Sequence, residues 1–276
     1  MRAGSRAFEL LRCSHPEPVI AVTALAGTLA VAIGRGLGSL WVVAAVLTGQ
    51  LFVGWTNDYA DAGLDASQGR TDKPVAAGRI APATVRNAAA LALLLCVPLS
   101  LASGLAAGLT HLAAVGIATL YNLKLKVTVA SVIPYAASFA LLPAFISMGL
   151  PGNPLPARWV LAAGGLLGAG AHFTQSLPDV GADREQGLGG LPVRFGERGS
   201  ALAAAALLLG AMSAITFGPG RPSPPALIAL GVTGVLAVVI VSFAYSGRPL
   251  AAFRLTMVFA ALAVGALVLS GRTLVS

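Results

Sequence analysis

Charged side chains are scarce in this chain. They make up 10% of its 276 residues, whereas 57% of the residues are hydrophobic and the mean hydropathy is +0.84. A water-soluble domain is closer to a quarter charged, so this sequence lacks the polar surface that a soluble globule needs. Cysteine is also rare, and the wide separation of Cys13 and Cys96 indicates neither a disulfide framework nor a metal site. The composition therefore predicts a membrane protein.

Apolar runs recur along the whole length, each about as long as the roughly 20-residue helix that crosses a bilayer. Gly and Pro residues mark most of the joints between the runs. The sequence thus predicts an all-α, polytopic membrane protein that forms a single domain over residues 1–276, with about nine transmembrane helices. The predicted helices cover residues 18–34, 38–57, 82–104, 107–121, 129–149, 158–178, 199–217, 225–245 and 250–270.

The basic residues predict the orientation. Fourteen of the 18 lysines and arginines fall before the first helix, in alternate connections or at the helix ends that adjoin them, on the same side as the N-terminus. Cytoplasmic loops are the ones enriched in Lys and Arg, so the N-terminus is predicted to be cytoplasmic. The net charge of +8 is then explained by the basic residues of the cytoplasmic loops, and no nucleic-acid partner is expected. The four basic residues on the other side are Arg35, Arg158, Arg221 and Arg272.

The first residues are predicted to form an amphipathic lead rather than a cleaved signal peptide. Arg2, Arg6 and Arg12 alternate there with apolar residues such as Phe8 and Leu11. The apolar run that follows ends without a small-residue cleavage pattern. We expect this lead to lie at the membrane interface.

Acidic residues are concentrated in two places. Eight of the ten fall within residues 57–86 and 179–198, the two longest cytoplasmic connections of the predicted topology. On a helix, the spacing of the first group places its side chains on one face, and the second group has an i, i+4 spacing. Clustered carboxylates repel one another unless a cation lies among them, and Mg²⁺ prefers such oxygen ligands. The candidate metal ligands are Asn57, Asp58, Asp61 and Asp65 in the first cluster and Asp179 and Asp183 in the second.

Basic residues accompany both clusters. Arg70 and Lys73 follow the first cluster, Arg184 follows the second, and Lys124 lies between them in sequence. Arg and Lys are the usual partners of phosphate groups. A diphosphate held by metal on one side and by cations on the other fits this combination, although a solvated loop could also carry such charges.

The motifs resemble those of the UbiA superfamily of intramembrane prenyltransferases. The first signature is matched by Asn57-Asp58-x-x-Asp61-x-x-x-Asp65, followed by Gly69-Arg70-Thr71-x-Lys73-Pro74. The second is matched by Asp179-x-x-x-Asp183-Arg184-x-x-Gly187, and Tyr121-Asn122-Leu123-Lys124-Leu125-Lys126 is similar to a short segment after the fourth helix of that family. The resemblance covers nearly the whole chain and implies that the nine helices surround a central cavity.

The resemblance implies an enzyme that ionises an isoprenoid diphosphate with the help of Mg²⁺. Asn57, Asp61, Asp179 and Asp183 would be the core metal ligands and catalytic residues, assisted by Asp58 and Asp65. The contacts to the diphosphate would come from Arg70, Lys73, Lys124 and Arg184. An allylic cation would form in the apolar cavity and react with a lipophilic acceptor, such as an aromatic or quinone precursor.

Two other functions stay open. A UbiA-type terpene cyclase would ionise the same diphosphate without an external acceptor, and its motifs would look alike. A transporter or lipid-binding membrane protein fits less well, because transporter sites lie near the membrane midplane. The Ala-, Gly- and Arg-rich composition is typical of GC-rich bacterial genomes and favours a location in the cytoplasmic membrane.

Further residues near the clusters have two interpretations. His172 and Gln175 could contact an acceptor or pack within the bundle. Trp55, Tyr59, Tyr135 and Phe139 could stabilise a cation through their ring faces, although ordinary core or interface packing is the preferred interpretation.

Overall fold

The computed structural model describes residues 3–67, 69–185, 187–269 and 274, with side chains from residue 6 onward. Within these ranges the chain is all-helical and has no strand, as predicted. Arg2 and Arg272, which entered the topology argument, lie outside the described residues. The helices are α1 (Ala3–Arg12), α2 (Pro16–Ala32), α3 (Gly38–Ser67), α4 (Pro82–Leu101), α5 (Leu105–Leu120), a π-helical turn (Tyr121–Leu125), α6 (Val132–Met148), α7 (Arg158–Ser176), α8 (Val180–Glu185), α9 (Leu191–Phe217), α10 (Pro224–Tyr245) and α11 (Pro249–Leu269).

Each of the nine predicted helices coincides with a long helix of the structure, but two of them are longer than predicted. Helix α3 continues past residue 57 to Ser67, so the whole of the first acidic cluster is helical. Helix α9 begins at Leu191 rather than at 199, and it is kinked at Gly196, whose φ of 70° is not helical. The segments 57–86 and 179–198 are therefore not simple loops. Hydrophobicity alone marks where a helix leaves the apolar region, whereas its hydrogen bonding continues until a breaker such as Gly69.

The chain is a multi-pass membrane protein. Among the described helices, α3, α4, α5 with its π-helical turn, α9, α10 and α11 are long and apolar enough to cross a bilayer. Residues Arg6–Arg12 and the helix Pro16–Ala32 make a seventh if the 67° bend between them belongs to one span. Helix α6 is apolar but has 17 residues. The number of nine spans and the cytoplasmic N-terminus stay predictions.

Close packing between neighbouring helices depends on small residues. A Cβ atom added at Gly164 of α7 would lie 2.6 Å from the carbonyl oxygen of Phe139, and one at Gly168 would lie 2.5 Å from that of Tyr135. Small residues at such contacts let helices approach closely in membranes. Helix α11 contacts α2, α7 and α9, so the end of the chain returns to its beginning.

Candidate active site

The first acidic cluster lies on the last three turns of α3. At 100° per residue, the four side chains span one arc of the helix, with Asn57 and Asp58 at its two edges. Asn57 Nδ2 donates to Asp61 Oδ2 at 3.1 Å and lies 3.4 Å from Asn122 Oδ1. Asn122 in turn donates to the carbonyl oxygen of Val53 at 2.9 Å. The edge with Asn57 and Asp61 therefore faces the π-helical turn that follows α5.

The other edge of the arc faces the N-terminal segment. Asp58 is 1% exposed, accepts a hydrogen bond from Lys73 Nζ at 2.9 Å, and lies 3.3 Å from His15 Nε2. Both Asp58 and Lys73 are thus engaged with each other in this structure. This pair connects α3 to the segment that follows it, so the predicted roles of Asp58 in binding metal and of Lys73 in binding diphosphate stay predictions.

Helix α1 supports the segment that carries Arg70 and Lys73. Glu9 accepts a hydrogen bond from Arg79 at 3.1 Å, and Arg12 donates to the carbonyl oxygen of Asp72 at 2.9 Å. Trp55 on α3 donates from Nε1 to the carbonyl oxygen of Leu10 at 2.8 Å. The predicted amphipathic lead is therefore a helix, and it braces the residues next to the first cluster. Trp55 serves this contact, and Tyr59 is 40% exposed.

Arg70 connects the two acidic clusters. Its guanidinium donates to Asp179 Oδ1 at 3.0 Å and to both carboxylate oxygens of Asp72, at 3.0 and 3.1 Å. These hydrogen bonds, first of all those to Asp72, raise the pKa of Arg70. The structure therefore brings together residues that are 109 positions apart in the sequence.

Asp183 is the more enclosed member of the second cluster. Burial, and secondarily the neighbouring Asp179, raises the pKa of Asp183, while Lys126 and Arg70 oppose that rise. Its main-chain NH donates to the carbonyl oxygen of Asp179 at 2.8 Å, which starts the short helix α8. The negative charge of Asp179 and Asp183 is thus concentrated next to the side chains of Lys126 and Arg70.

Lys126, and not Lys124, reaches the acidic groups. Lys126 Nζ donates to Asp61 Oδ1, and burial lowers the pKa of Lys126 while Asp183 and Asp179 oppose that shift. Lys124 is exposed. Lys126 lies four residues after Asn122, which also faces the first cluster, whereas the sequence motif contains both lysines and does not distinguish them.

Arg184 connects the short helix of the second cluster to the start of α9. It donates to the carbonyl oxygen of Val193 at 2.9 Å, and its guanidinium lies 3.0 Å from where a Cβ of Gly196 would stand. The side chain is exposed. Arg184 therefore ties α8 to the kink in α9, and its predicted contact with a diphosphate stays a prediction.

The oxygen donors of the two clusters suit a hard cation whose coordination shell is completed by a bound ligand. Over the described ranges, no three or more His, Cys, Asp or Glu side chains converge closely enough to hold a metal by themselves. Two basic side chains, Arg70 and Lys126, contact the carboxylates of Asp179 and Asp61. Mg²⁺ is commonly bound through one or two carboxylates together with phosphate oxygens and water. Asp61, Asp179 and Asp183 can supply the carboxylates, and Asn57 can supply a carboxamide oxygen.

Aromatic side chains lie next to the charged residues of the two clusters. The rings of Tyr121 and Tyr135 meet edge to face at 4.9 Å, and that of His172 lies 4.9 Å from Tyr135. Tyr135 donates to Gln175 Oε1 at 2.8 Å, and His172 Nε2 lies 3.0 Å from Ser131 Oγ. His172 is 1% exposed. His172 therefore packs within the bundle, whereas Gln175 is exposed and accepts the hydrogen bond from Tyr135.

Comparison with known proteins gives one family and one fold. The model of the UbiA prenyltransferase family matches residues 20–263. The apo structure of a UbiA homolog from Aeropyrum pernix K1 superposes with a TM-score of 0.72 at 19% identity and covers 92% of this chain and 98% of its own. A structure of a UbiA homolog from Archaeoglobus fulgidus bound to GPP and Mg²⁺ has a TM-score of 0.66 at 17% identity, with 94% and 99% coverage.

A third similar structure comes from work on the biosynthesis of digeranylgeranylglyceryl phosphate synthase in membranes. Its TM-score is 0.67 at 16% identity, and the match covers 96% of this chain and 98% of that one. At these identities the solved structures establish the fold. No curated protein matches the chain.

Proposed function

Because this chain belongs to the UbiA prenyltransferase family, we propose that it is a Mg²⁺-dependent enzyme that transfers the prenyl group of an isoprenoid diphosphate to a lipophilic acceptor. The family supports an intramembrane prenyltransferase. The metal is supported by the donor set and by the structures of similar fold that are bound to GPP and Mg²⁺ and to DMAPP and Mg²⁺.

One observation supports this proposal most directly: Arg70 and Lys126 stand among carboxylates from two distant parts of the chain. Arg70 contacts Asp179, and Lys126 contacts Asp61. A diphosphate with its metal could displace these internal ion pairs, because its oxygens bind the cations while the carboxylates bind the metal. The two basic side chains are then ready to receive the anion without moving far.

We assign metal binding to Asn57, Asp61, Asp179 and Asp183, with Asp65 beside them. Bound Mg²⁺ would stabilise the negative charge that develops on the departing diphosphate. Arg70 and Lys126 would neutralise the same charge by hydrogen bonds to its oxygens. The bond between the allylic carbon and the diphosphate oxygen breaks, and its electron pair leaves with the diphosphate.

The allylic cation would then form next to the rings of Tyr121 and Tyr135. Their faces can stabilise positive charge, and the apolar bundle below excludes water. An acceptor carbon or heteroatom forms the new bond to the allylic carbon and afterwards loses a proton. The charge cluster at one end of the bundle argues against a transporter, whose site lies near the midplane. We also propose that the protein resides in a bacterial cytoplasmic membrane.

Substitution of the aspartates tests the assignment. Asp61→Ala and Asp183→Ala should abolish Mg²⁺-dependent release of diphosphate from geranylgeranyl diphosphate. Glu185→Ala is the matched control, because Glu185 lies on the same short helix as Asp183 but is exposed. Full turnover by either aspartate variant would overturn the proposal.

A terpene cyclase is the second candidate, because ionisation requires the same residues. Purified enzyme given geranylgeranyl diphosphate and Mg²⁺ without acceptor distinguishes the two. A cyclised hydrocarbon would favour the cyclase. Product that forms when an acceptor is added, and not before, is the result expected for a transferase.

A further inference from the structure

A cavity with an unusual polar group lies deeper in the bundle, between α2, α3, α5 and α6. It has a volume of about 50 Å³, and its lining includes Gly49, Gln50 and His111 among apolar side chains. His111 is 4% exposed and stacks on Phe145, with ring centroids 4.6 Å apart. Polar side chains at membrane depth are costly and usually mark function.

The hydrogen bonds of His111 determine which of its ring nitrogens can bind a ligand. Ser100 Oγ lies 2.6 Å from the carbonyl oxygen of Cys96 and 2.8 Å from His111 Nδ1. A carbonyl oxygen can only accept, so the single hydroxyl hydrogen of Ser100 is used there. His111 Nδ1 must therefore be the donor to Ser100, and in the neutral ring Nε2 keeps its lone pair.

Gly49 leaves room in front of that lone pair. A Cβ atom at this position would lie 3.2 Å from His111 Cε1 and 3.4 Å from Nε2. Any other residue would crowd the edge of the ring that carries the free nitrogen. Gln50 is the next residue of α3 and also lines the cavity. Its carboxamide has no hydrogen-bond partner among the residues that the structure describes.

A second cavity adjoins the first and has a different character. It has a volume of about 60 Å³ and shares Val22, Phe139 and Leu142 with the first. The remainder of its lining is apolar and includes Leu29 and Ile146. The two cavities thus form a polar lobe around His111 and Gln50 and an adjoining apolar lobe.

The polar lobe lies at a distance that suits an extended small molecule. Gly49 and Asn57 are eight residues apart on α3, which at 1.5 Å per residue is about 12 Å along the helix. A hydrocarbon tail placed against His111 Nε2 would leave that acceptor without a hydrogen bond, which is unfavourable in an apolar site. A hydroxyl group would satisfy it.

We propose that the polar lobe is the acceptor subsite and takes a lipophilic molecule with a hydroxyl group, which donates to His111 Nε2, while the isoprenoid tail occupies the apolar lobe. This assignment rests on the proposed function and specifies its acceptor class. Gln50 offers a carboxamide to a second polar group of the same ligand.

The test compares 4-hexylphenol with hexylbenzene, which differ by one hydroxyl group. Binding to the full-length protein in nanodiscs is measured against empty nanodiscs. We expect the phenol to bind about tenfold more tightly than hexylbenzene, as one buried hydrogen bond allows. His111→Phe keeps a ring next to Phe145 but removes the acceptor nitrogen, so it should reduce this preference to about twofold or less.

Gly49→Ala provides the second variant, in case His111→Phe does not fold. Its Cβ fills the space in front of His111 and should weaken phenol binding. Gly116→Ala on α5 is the control, because a Cβ there meets nothing within 4 Å. An unchanged preference in folded His111→Phe, or unchanged phenol binding in Gly49→Ala, would refute the proposed subsite. These measurements need no turnover, so they succeed or fail independently of the aspartate test.

Discussion

Lys124 and Lys126 differ by two positions in the chain but have different surroundings. Lys126 contacts Asp61, whereas Lys124 is exposed. The π-helical turn Tyr121–Leu125 sets this arrangement, since it turns Asn122 and Lys126 toward α3. The resemblance to a family motif predicts that Lys124 contacts a diphosphate, whereas the packing of the segment places Lys126 beside the first acidic cluster.

Lys126→Ala should lower kcat/KM for the isoprenoid diphosphate by about 10²–10³, the loss typical when one charge-stabilising group is removed. Lys124→Ala is expected to change it little. Steady-state assays of diphosphate release with both purified variants provide the measurement. A large loss in Lys124→Ala with normal activity in Lys126→Ala would support the assignment of Lys124 made from the sequence.

Asp58 offers a second test at the scale of single residues. Because Asp58 is buried against Lys73, removing its charge leaves a cation without its partner. Asp58→Ala should therefore destabilise the metal-free protein by about 3–5 kcal/mol, as expected when one member of a buried pair is lost. Thermal unfolding without Mg²⁺ measures this effect. A variant with normal stability but weakened Mg²⁺ binding would instead identify Asp58 as a metal ligand.

At the scale of elements, α1 is coupled to the active site through the segment that it supports. The ion pair of Glu9 with Arg79 and the hydrogen bond from Trp55 to Leu10 hold α1 against that segment. Arg70, which contacts the second acidic cluster, lies on the same segment. A helix that carries no proposed catalytic group therefore helps to position one.

Glu9→Gln should raise KM for the isoprenoid diphosphate and expose the segment around Arg70 to limited proteolysis. Glu17→Gln is the matched control, since Glu17 pairs with Arg254 at an exposed position and makes no contact with Arg79. Both effects should be absent in the control. Normal KM and normal protease resistance in Glu9→Gln would show that α1 does not brace the site.

At the scale of the whole molecule, the two charge clusters and the basic residues define one side of the protein. Their distribution predicts that residues 69–81 are cytoplasmic and that the connection between α6 and α7 is on the opposite side. The membrane insertion machinery responds to this charge difference, and the fold then places both clusters at one end of the bundle.

Single cysteines test this topology. Ala77→Cys and Asn153→Cys lie at exposed positions on the two predicted sides, and the native Cys13 and Cys96 are buried. In intact cells, a membrane-impermeant maleimide should label Asn153→Cys but not Ala77→Cys. Permeabilised cells should show labelling of both. The reverse pattern in intact cells would invert the orientation.

The sequence by itself determined the all-helical membrane fold, the approximate positions of its long helices and the two acidic clusters. Hydrophobic length and helical spacing are local properties, so they can be read along the chain. Motifs identified the family for the same reason, because they consist of residues close in sequence.

The tertiary structure decided which charges meet. The contacts between Arg70 and Asp179, between Lys126 and Asp61, and between Asp58 and Lys73 join separate segments of the chain. It also decided that α1 supports the site and that His111 faces a cavity beside Gly49. Such contacts depend on how helices pack and on where a missing Cβ leaves space, and neither follows from spacing along one helix.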